Sequence, residues 1–170
     1  WIVDLTNPTQ PQEIGHFTTL DVAIDVVIQD TCAFVTTETG LLLLDITDPA
    51  HPRLQSKIAL PNPVTGMEIT GQHLYIPSRK GLLILDVRTR NTPQLISTYS
   101  LSNITDVGLY ESYAFITRGY DSDTGGGGIY ILNITNPANP IELGALNRWY
   151  ADNIQVSYPF AFVTTQNEIG

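Results

Sequence analysis

Apolar positions along the chain fall in short blocks whose pattern changes in a fixed order. The first block alternates: Val26/Ile28, Met67/Ile69, Val107/Leu109 and Ile154/Val156 share one parity, with Val27, Glu68, Gly108 and Gln155 between them. A period of two predicts a strand with one buried face. The second block is aromatic and β-branched: "CAFV" from 32, "HLYI" from 73, "YAFI" from 113 and "FAFV" from 160. The third, "GLLLLD" at 40–45, "GLLILD" at 81–86 and "GIYILN" at 128–133, stays apolar until a closing Asp or Asn. That composition predicts a strand covered on both faces. A fourth block such as "PRLQSKIAL" at 52–60 mixes Arg53, Gln55 and Lys57 with Leu54 and Ile58, as an outer, wetter edge strand does. No stripe of period 3.6 interrupts the series, so essentially no helix is expected.

The polar residue closing each third block is Asp4, Asp45, Asp86 or Asn133, at intervals of 41, 41 and 47 residues. Pro11, Pro52, Pro93 and Pro140 each follow seven positions later. The surplus of the longest interval lies in "GYDSDTGGGG", 119–128, where a loop can absorb it. Four-stranded units at this period are the signature of β-propeller blades. Radial packing buries both faces of each blade, as the third block demands, which favours this arrangement over a packed solenoid of sheets. The expected fold class is therefore all-β, a β-propeller of four-stranded antiparallel blades of about 41 residues, with four blades' worth in the chain. The expected division is a half-blade at 1–20, repeats at 21–61, 62–102 and 103–150, and a half-blade at 151–170. Unpaired half-blades leave bare backbone donors and acceptors. They are expected to be completed either by each other within one molecule, or by a neighbouring chain or further repeats of a longer protein.

The phrases "WIVD", "LLLLD", "LLILD" and "YILN" resemble the LVIVD repeat family, and the resemblance runs the length of the chain. It implies a β-propeller, in bacterial and archaeal proteins often secreted or attached to the cell surface. It implies no particular activity, because propellers host many unrelated ones.

Composition narrows the function classes. With 42% hydrophobic and 15% charged residues over 170 positions, the chain can bury a sizeable core. Its 17 acidic against 8 basic residues give a net charge of −9. The cations Arg53, Lys57, Arg88, Arg118 and Arg148 are scattered, with only Arg79 and Lys80 adjacent. Nucleic acid and anionic membrane surfaces need clustered cations and are excluded as partners. Apolar runs are far shorter than the roughly 20 residues of a spanning helix, so no membrane insertion is expected. A lone Cys32 cannot make an internal disulfide. The opening on Trp1, without a charged n-region or apolar h-region, predicts that residue 1 begins a processed chain or an excerpt.

Candidate chemistry is sparse. An acceptor just before "x-T-D-P" or "x-T-N-P" can bind backbone N–H groups of the following turn, and Asp and Asn share that capacity. Because Asn133 stands where Asp4, Asp45 and Asp86 stand elsewhere, the role needs an acceptor and not a charge, and these four are expected to be structural turn anchors. Asp25, Gly66, Asp106 and Asn153 precede the first block and would ring a propeller's channel, which makes Asp25 and Asp106 candidate cation ligands. In the insertion, Asp121 and Asp123 alternate as calcium ligands do, yet Gly125 and Leu132 stand where a calcium loop needs further oxygens. Calcium is thus the one candidate ion, and no other cofactor is implied. The four glycines lack the Lys-Ser or Lys-Thr of a phosphate loop. His16, His51 and His73 occur singly, without zinc spacing, and Cys32 fills a slot held elsewhere by His73, Tyr113 and Phe160. Asn103 and Asn133 each begin an Asn-Ile-Thr glycosylation pattern. With no catalytic constellation, the expected function is a non-catalytic extracellular or cell-surface module that binds a protein partner or its own half-blades. The alternative is a propeller enzyme or small-ligand binder using Asp25, Asp106, Asp152 and Glu68 at the channel mouth.

Overall fold

Strands follow one another in the order set by the apolar blocks. A computed structural model describes residues 1–121 and 125–165, and every regular element among them is a β-strand. The chain divides into two compact units, Trp1–Pro61 and Asn62–Gly170. In the first, β1 (Ile2–Asp4) and β2 (Gln12–Gly15) form a two-stranded antiparallel sheet. There follows a four-stranded sheet of β3 (Ala23–Gln29), β4 (Cys32–Thr37), β5 (Gly40–Asp45) and β6 (Arg53–Ala59), each strand beside its predecessor.

The second unit holds two more such sheets. One consists of β7 (Glu68–Thr70), β8 (His73–Ser78), β9 (Gly81–Asp86) and β10 (Gln94–Tyr99). The other consists of β11 (Ile104–Tyr110), β12 (Tyr113–Arg118), β13 (Gly128–Asn133) and β14 (Ile141–Leu146). A final two-stranded sheet pairs β15 (Ala151–Ser157) with β16 (Phe160–Thr165).

Register repeats as faithfully as sequence. Cys32 lies opposite Asp45, His73 opposite Asp86 and Tyr113 opposite Asn133, so each anchor closes the strand at the same rung. A glycine opens the third strands β5, β9 and β13 because the fourth strand comes back close: a methyl group on Gly81 or Gly128 would collide with the carbonyl oxygen of Tyr99 or Leu146. Both have φ above +140°, a region that side-chain-bearing residues rarely adopt.

The third strands β5 and β9 are buried along their length up to the anchor, as a run without polar positions requires. In the second unit one core joins two blades: Tyr75, Leu82 and Ile84 pack with Val107, Ala114, Ile116, Tyr130 and Leu132. In the first, Ala33, Val35, Leu42 and Leu44 are covered in part by Phe17 and Ile46.

One expectation fails locally. Val107 is 1% exposed, but its counterpart Val26 and the neighbouring Ile28 are each 55% exposed. Blade packing explains the difference. The face of β11 that carries Val107 meets the strands of the blade before it, whereas the sheet before β3 has only β1 and β2, a third and a fourth strand. Alternation predicts which side chains share a face, and only a neighbour can bury them.

Candidate functional site

The repeated turn that follows each third strand is built around the anchor. Oδ1 of Asp4 accepts from Thr6 N–H at 2.8 Å and from the Thr6 hydroxyl at 2.6 Å, and Asp45 does the same with Thr47 at 2.9 and 2.6 Å. Asn133 Oδ1 accepts from Thr135 N–H at 2.9 Å, the bond an amide and a carboxylate make alike. Asp86 accepts from Arg88 N–H at 2.9 Å and also from the Arg88 guanidinium, whose Nε donates at 2.8 Å. These hydrogen bonds hold the Asp86 carboxyl down at about 2, and the Thr6 pair lowers Asp4. Three residues beyond the anchor a second polar side chain repeats the device: Asn7 accepts from Thr9, Asp48 from Ala50 and Asn136 from Ala138.

The channel candidates occupy a different place. Asp106 Oδ1 accepts from Val107 N–H at 2.9 Å, and its Oδ2 accepts from Ile154 N–H at 2.9 Å on the next sheet. The carboxylate therefore bridges two blades. Asp25 accepts from Val26 N–H at 2.8 Å in the same local way. Asp106 and Asn153 line one depression of about 360 Å³ with Ile154, Phe162 and Thr164. Sequence reasoning overlooked the hydroxyls that stitch this level: Thr65 donates to Ile104 O at 3.5 Å, and Thr105 to Ala151 O at 2.7 Å. Each threonine stands immediately before the repeated position of Gly66 and Asp106, and that shared slot was the available signal. Among the described residues no group of three or more His, Cys, Asp or Glu side chains is placed to hold a metal ion.

Asp121 is drawn into the protein at the base of the insertion, and Asp123 lies outside the described residues. The buried Asp121 carboxylate accepts from Arg118 at 2.7 Å and from the Ser102 hydroxyl. Arg118 also donates to Ser102 O at 3.1 Å and to the Tyr130 hydroxyl at 3.4 Å. Burial works against its charge, but the bonds to Tyr130 and Asp121 outweigh it and raise the guanidinium pKa. Arg118 stands where Thr37 and Ser78 stand in the shorter hairpins, and those hydroxyls donate to Gly40 O and Gly81 O. An arginine in a hydroxyl's slot, in the repeat with the insertion, was a legible departure. Asn103, at φ +56°, donates its side-chain N–H to Tyr120 O at 3.0 Å and so fixes the other side of the same loop.

A further repeated contact joins consecutive blades four residues after the conserved-spacing proline. Ser97 donates to the Pro137 carbonyl of the following turn at 2.6 Å. Gly15, at the matching position, lies so close to the Pro49 carbonyl that a methyl group there would collide with it. The last of the four such positions, Gly144, has no such neighbour: a methyl group there would meet nothing within 4 Å. It lines an apolar groove of about 450 Å³ with Phe115, Ile131, Leu146, Val156 and Phe160.

Sheets of four antiparallel strands, a third strand buried on both faces and blade-to-blade contacts repeated at fixed positions define a β-propeller repeat protein. The family model of the LVIVD repeat matches residues 1–19, 22–59, 64–100 and 103–147, and the chain belongs to that family. No curated protein matches. Among solved structures, the computationally designed Ika4 protein is similar at a TM-score of 0.68 and 10% identity, covering 91% of this chain and 92% of that one. BamB from Moraxella catarrhalis is similar at 0.67 and 15% identity, over 91% of this chain and 47% of that one. The complex of S. cerevisiae Dbp5 bound to Nup159, Gle1, IP6 and ADP contains a chain similar at 0.59 and 15% identity, over 87% of this chain and 40% of that one. The chain thus spans less than half the length of the latter two. At these identities the likeness is one of fold. Among the described residues no helix is long and apolar enough to cross a membrane.

Proposed function

We propose that this chain is a non-catalytic module of an extracellular or cell-surface protein, and that it works by binding protein through its split blades. The observation that carries the reading is where the large apolar side chains stay exposed: Trp1 and Val3 on one half-blade, Phe160 and Phe162 on the other, and Val26 and Ile28 on the face beside the first. Large apolar side chains left exposed beside sheet edges favour association with protein. Two of the carboxylates weighed as ion or acid–base candidates have other occupations, Asp106 between two blades and Asp121 in an ion pair. A chain of similar fold occurs in the complex of Dbp5 bound to Nup159, which agrees with a protein-binding reading. The location rests on the family resemblance and is tested by antibody labelling of intact cells.

Light scattering over rising protein concentration tests the binding role. The mean mass is expected to climb above that of one chain, and the double substitution Val26→Ser with Phe162→Ser is expected to hold it down. A mass that stays at one chain over the whole range, with no protein partner that protects these faces from hydrogen exchange, overturns the proposal.

A further inference from the structure

We propose that Asn133 is the attachment site of an N-linked oligosaccharide, and that the second Asn-Ile-Thr triplet, at Asn103, is not. The inference rests on the extracellular reading of the chain and adds to it a modification site. Both triplets satisfy the acceptor pattern Asn-x-Ser/Thr, which belongs on a surface turn. Transfer of the sugar needs two groups within reach, the asparagine amide nitrogen and the hydroxyl two residues on. The hydrogen bonds separate the two triplets on that ground.

At Asn133 both groups are free. Its Oδ1 accepts from Thr135 N–H at 2.9 Å, and the turn is held from inside by the buried Ile134, whose N–H donates to Ser112 O at 2.8 Å. Among the described residues Asn133 Nδ2 and the Thr135 hydroxyl make no hydrogen bond, and Thr135 is exposed. Two of the aspartate turns differ at this point. In them the hydroxyl of Thr6 or Thr47 donates to the carboxylate at 2.6 Å, because an ionised oxygen draws both the N–H and the O–H. The neutral amide keeps the N–H and releases the hydroxyl, so asparagine in place of aspartate exposes both reacting groups at once.

At Asn103 both groups are engaged. Its Nδ2 donates to Tyr120 O at 3.0 Å, and the Thr105 hydroxyl donates to Ala151 O on β15 at 2.7 Å and lies 2.9 Å from the Thr117 hydroxyl. A sugar there would displace the contact that fixes the base of the insertion. At Asn133 the covalent step leaves the turn whole. Nδ2 attacks C1 of the first sugar of a polyprenyl pyrophosphate-linked oligosaccharide, and the N–C1 bond forms as the C1–O bond breaks. The pyrophosphate leaves with the electron pair, and the amide gives up one proton to the transferase. Oδ1 remains an acceptor for Thr135 N–H, so the product keeps the turn of the parent.

Trypsin parts the two triplets, because cuts after Arg90, Arg118 and Arg148 leave Asn103 in peptide 91–118 and Asn133 in peptide 119–148. Protein recovered from its own cells is digested and its peptides are measured by mass spectrometry. Peptide 119–148 is expected to carry an added saccharide mass that fragmentation places on Asn133, and peptide 91–118 is expected at its unmodified mass. Asn133→Asp should lose the sugar and still fold, since Asp45 makes the same turn. Thr135→Val keeps Asn133 and its backbone bond and should lose the sugar as well. Peptide 119–148 at its unmodified mass overturns the proposal, and so does sugar on peptide 91–118 or sugar that survives Asn133→Asp. Antibody labelling of intact cells keeps the two readings apart. An unmodified peptide from cells that label sinks the site alone, and one from cells that do not label sinks the extracellular location with it.

Discussion

The complete blades and the half-blades are written in the same residues and differ in what covers them. Leu44, Leu85 and Leu132 close the third strands of the complete blades at 5% exposure or less, and Val3, in the same repeat position, is 46% exposed. Phe34 is fully buried and Phe162, its counterpart, is not. A repeat unit cannot bury its own two faces, so the contribution of each apolar side chain is decided by the neighbouring unit. The half-blades show what the repeat looks like before a neighbour arrives.

That contrast sets the largest expected effect. Leu85→Ala empties a fully buried site between strands and should cost about 2–5 kcal/mol, whereas Val3→Ala should change the stability of the single chain by less than about 0.5 kcal/mol. Urea unfolding at a concentration too low for association reads both. Equal costs would mean that Val3 is buried in solution and would erase the contrast. The glycines sharpen it at a smaller scale. Gly15→Ala pushes a methyl group into the Pro49 carbonyl, and overpacking of this kind costs about 1–3 kcal/mol. Gly144→Ala enters open space and should be neutral within about 0.5 kcal/mol in the single chain. If both changes prove neutral, the blade-to-blade turn contact is too soft to specify how blades stack.

The strands were legible because their signal is local. Each of the four blocks has its own mixture of apolar and polar positions, and the interval between Asp4, Asp45 and Asp86 hardly varies. The turn anchors were readable for the same reason, since an acceptor and its donor lie two residues apart. What escaped were contacts between residues distant in sequence. Nothing in "SNITDV" announces that Asp106 will accept from Ile154, or that Ser102 will join Arg118 and Asp121. Asp121 was weighed as a calcium ligand because it alternates with Asp123 as the ligands of a calcium loop do. Burial beside Arg118 gives it a different occupation, and the clue was the arginine in a slot otherwise filled by a hydroxyl. Exposure of Val26 was invisible for a further reason: it depends on which strands stand before it, a property of the blade's neighbour and not of its own residues.

Charge makes the smallest and most specific distinction between repeats that share a turn. Asp86 is held down at about 2 from an ordinary 3.8, first by the Arg88 guanidinium and then by its backbone N–H, while Asn133 makes the same turn and does not titrate. A carboxyl depressed in the folded state contributes its full stabilisation above its unfolded value and loses it as the pH falls through the folded one. The Asp86 contribution is therefore whole above about pH 4 and disappears between about pH 4 and pH 2. Asp86→Asn keeps an oxygen for Arg88 N–H but loses the charged bond to the guanidinium, so at pH 7 the variant should melt below the parent. From pH 4 to pH 2 the parent should lose more melting temperature than the variant, and the two curves should converge at the acid end. Curves that run parallel down to pH 2 would mean that the Arg88 contact does not persist in solution. The anchor would then be an acceptor alone in every repeat, with its charge idle.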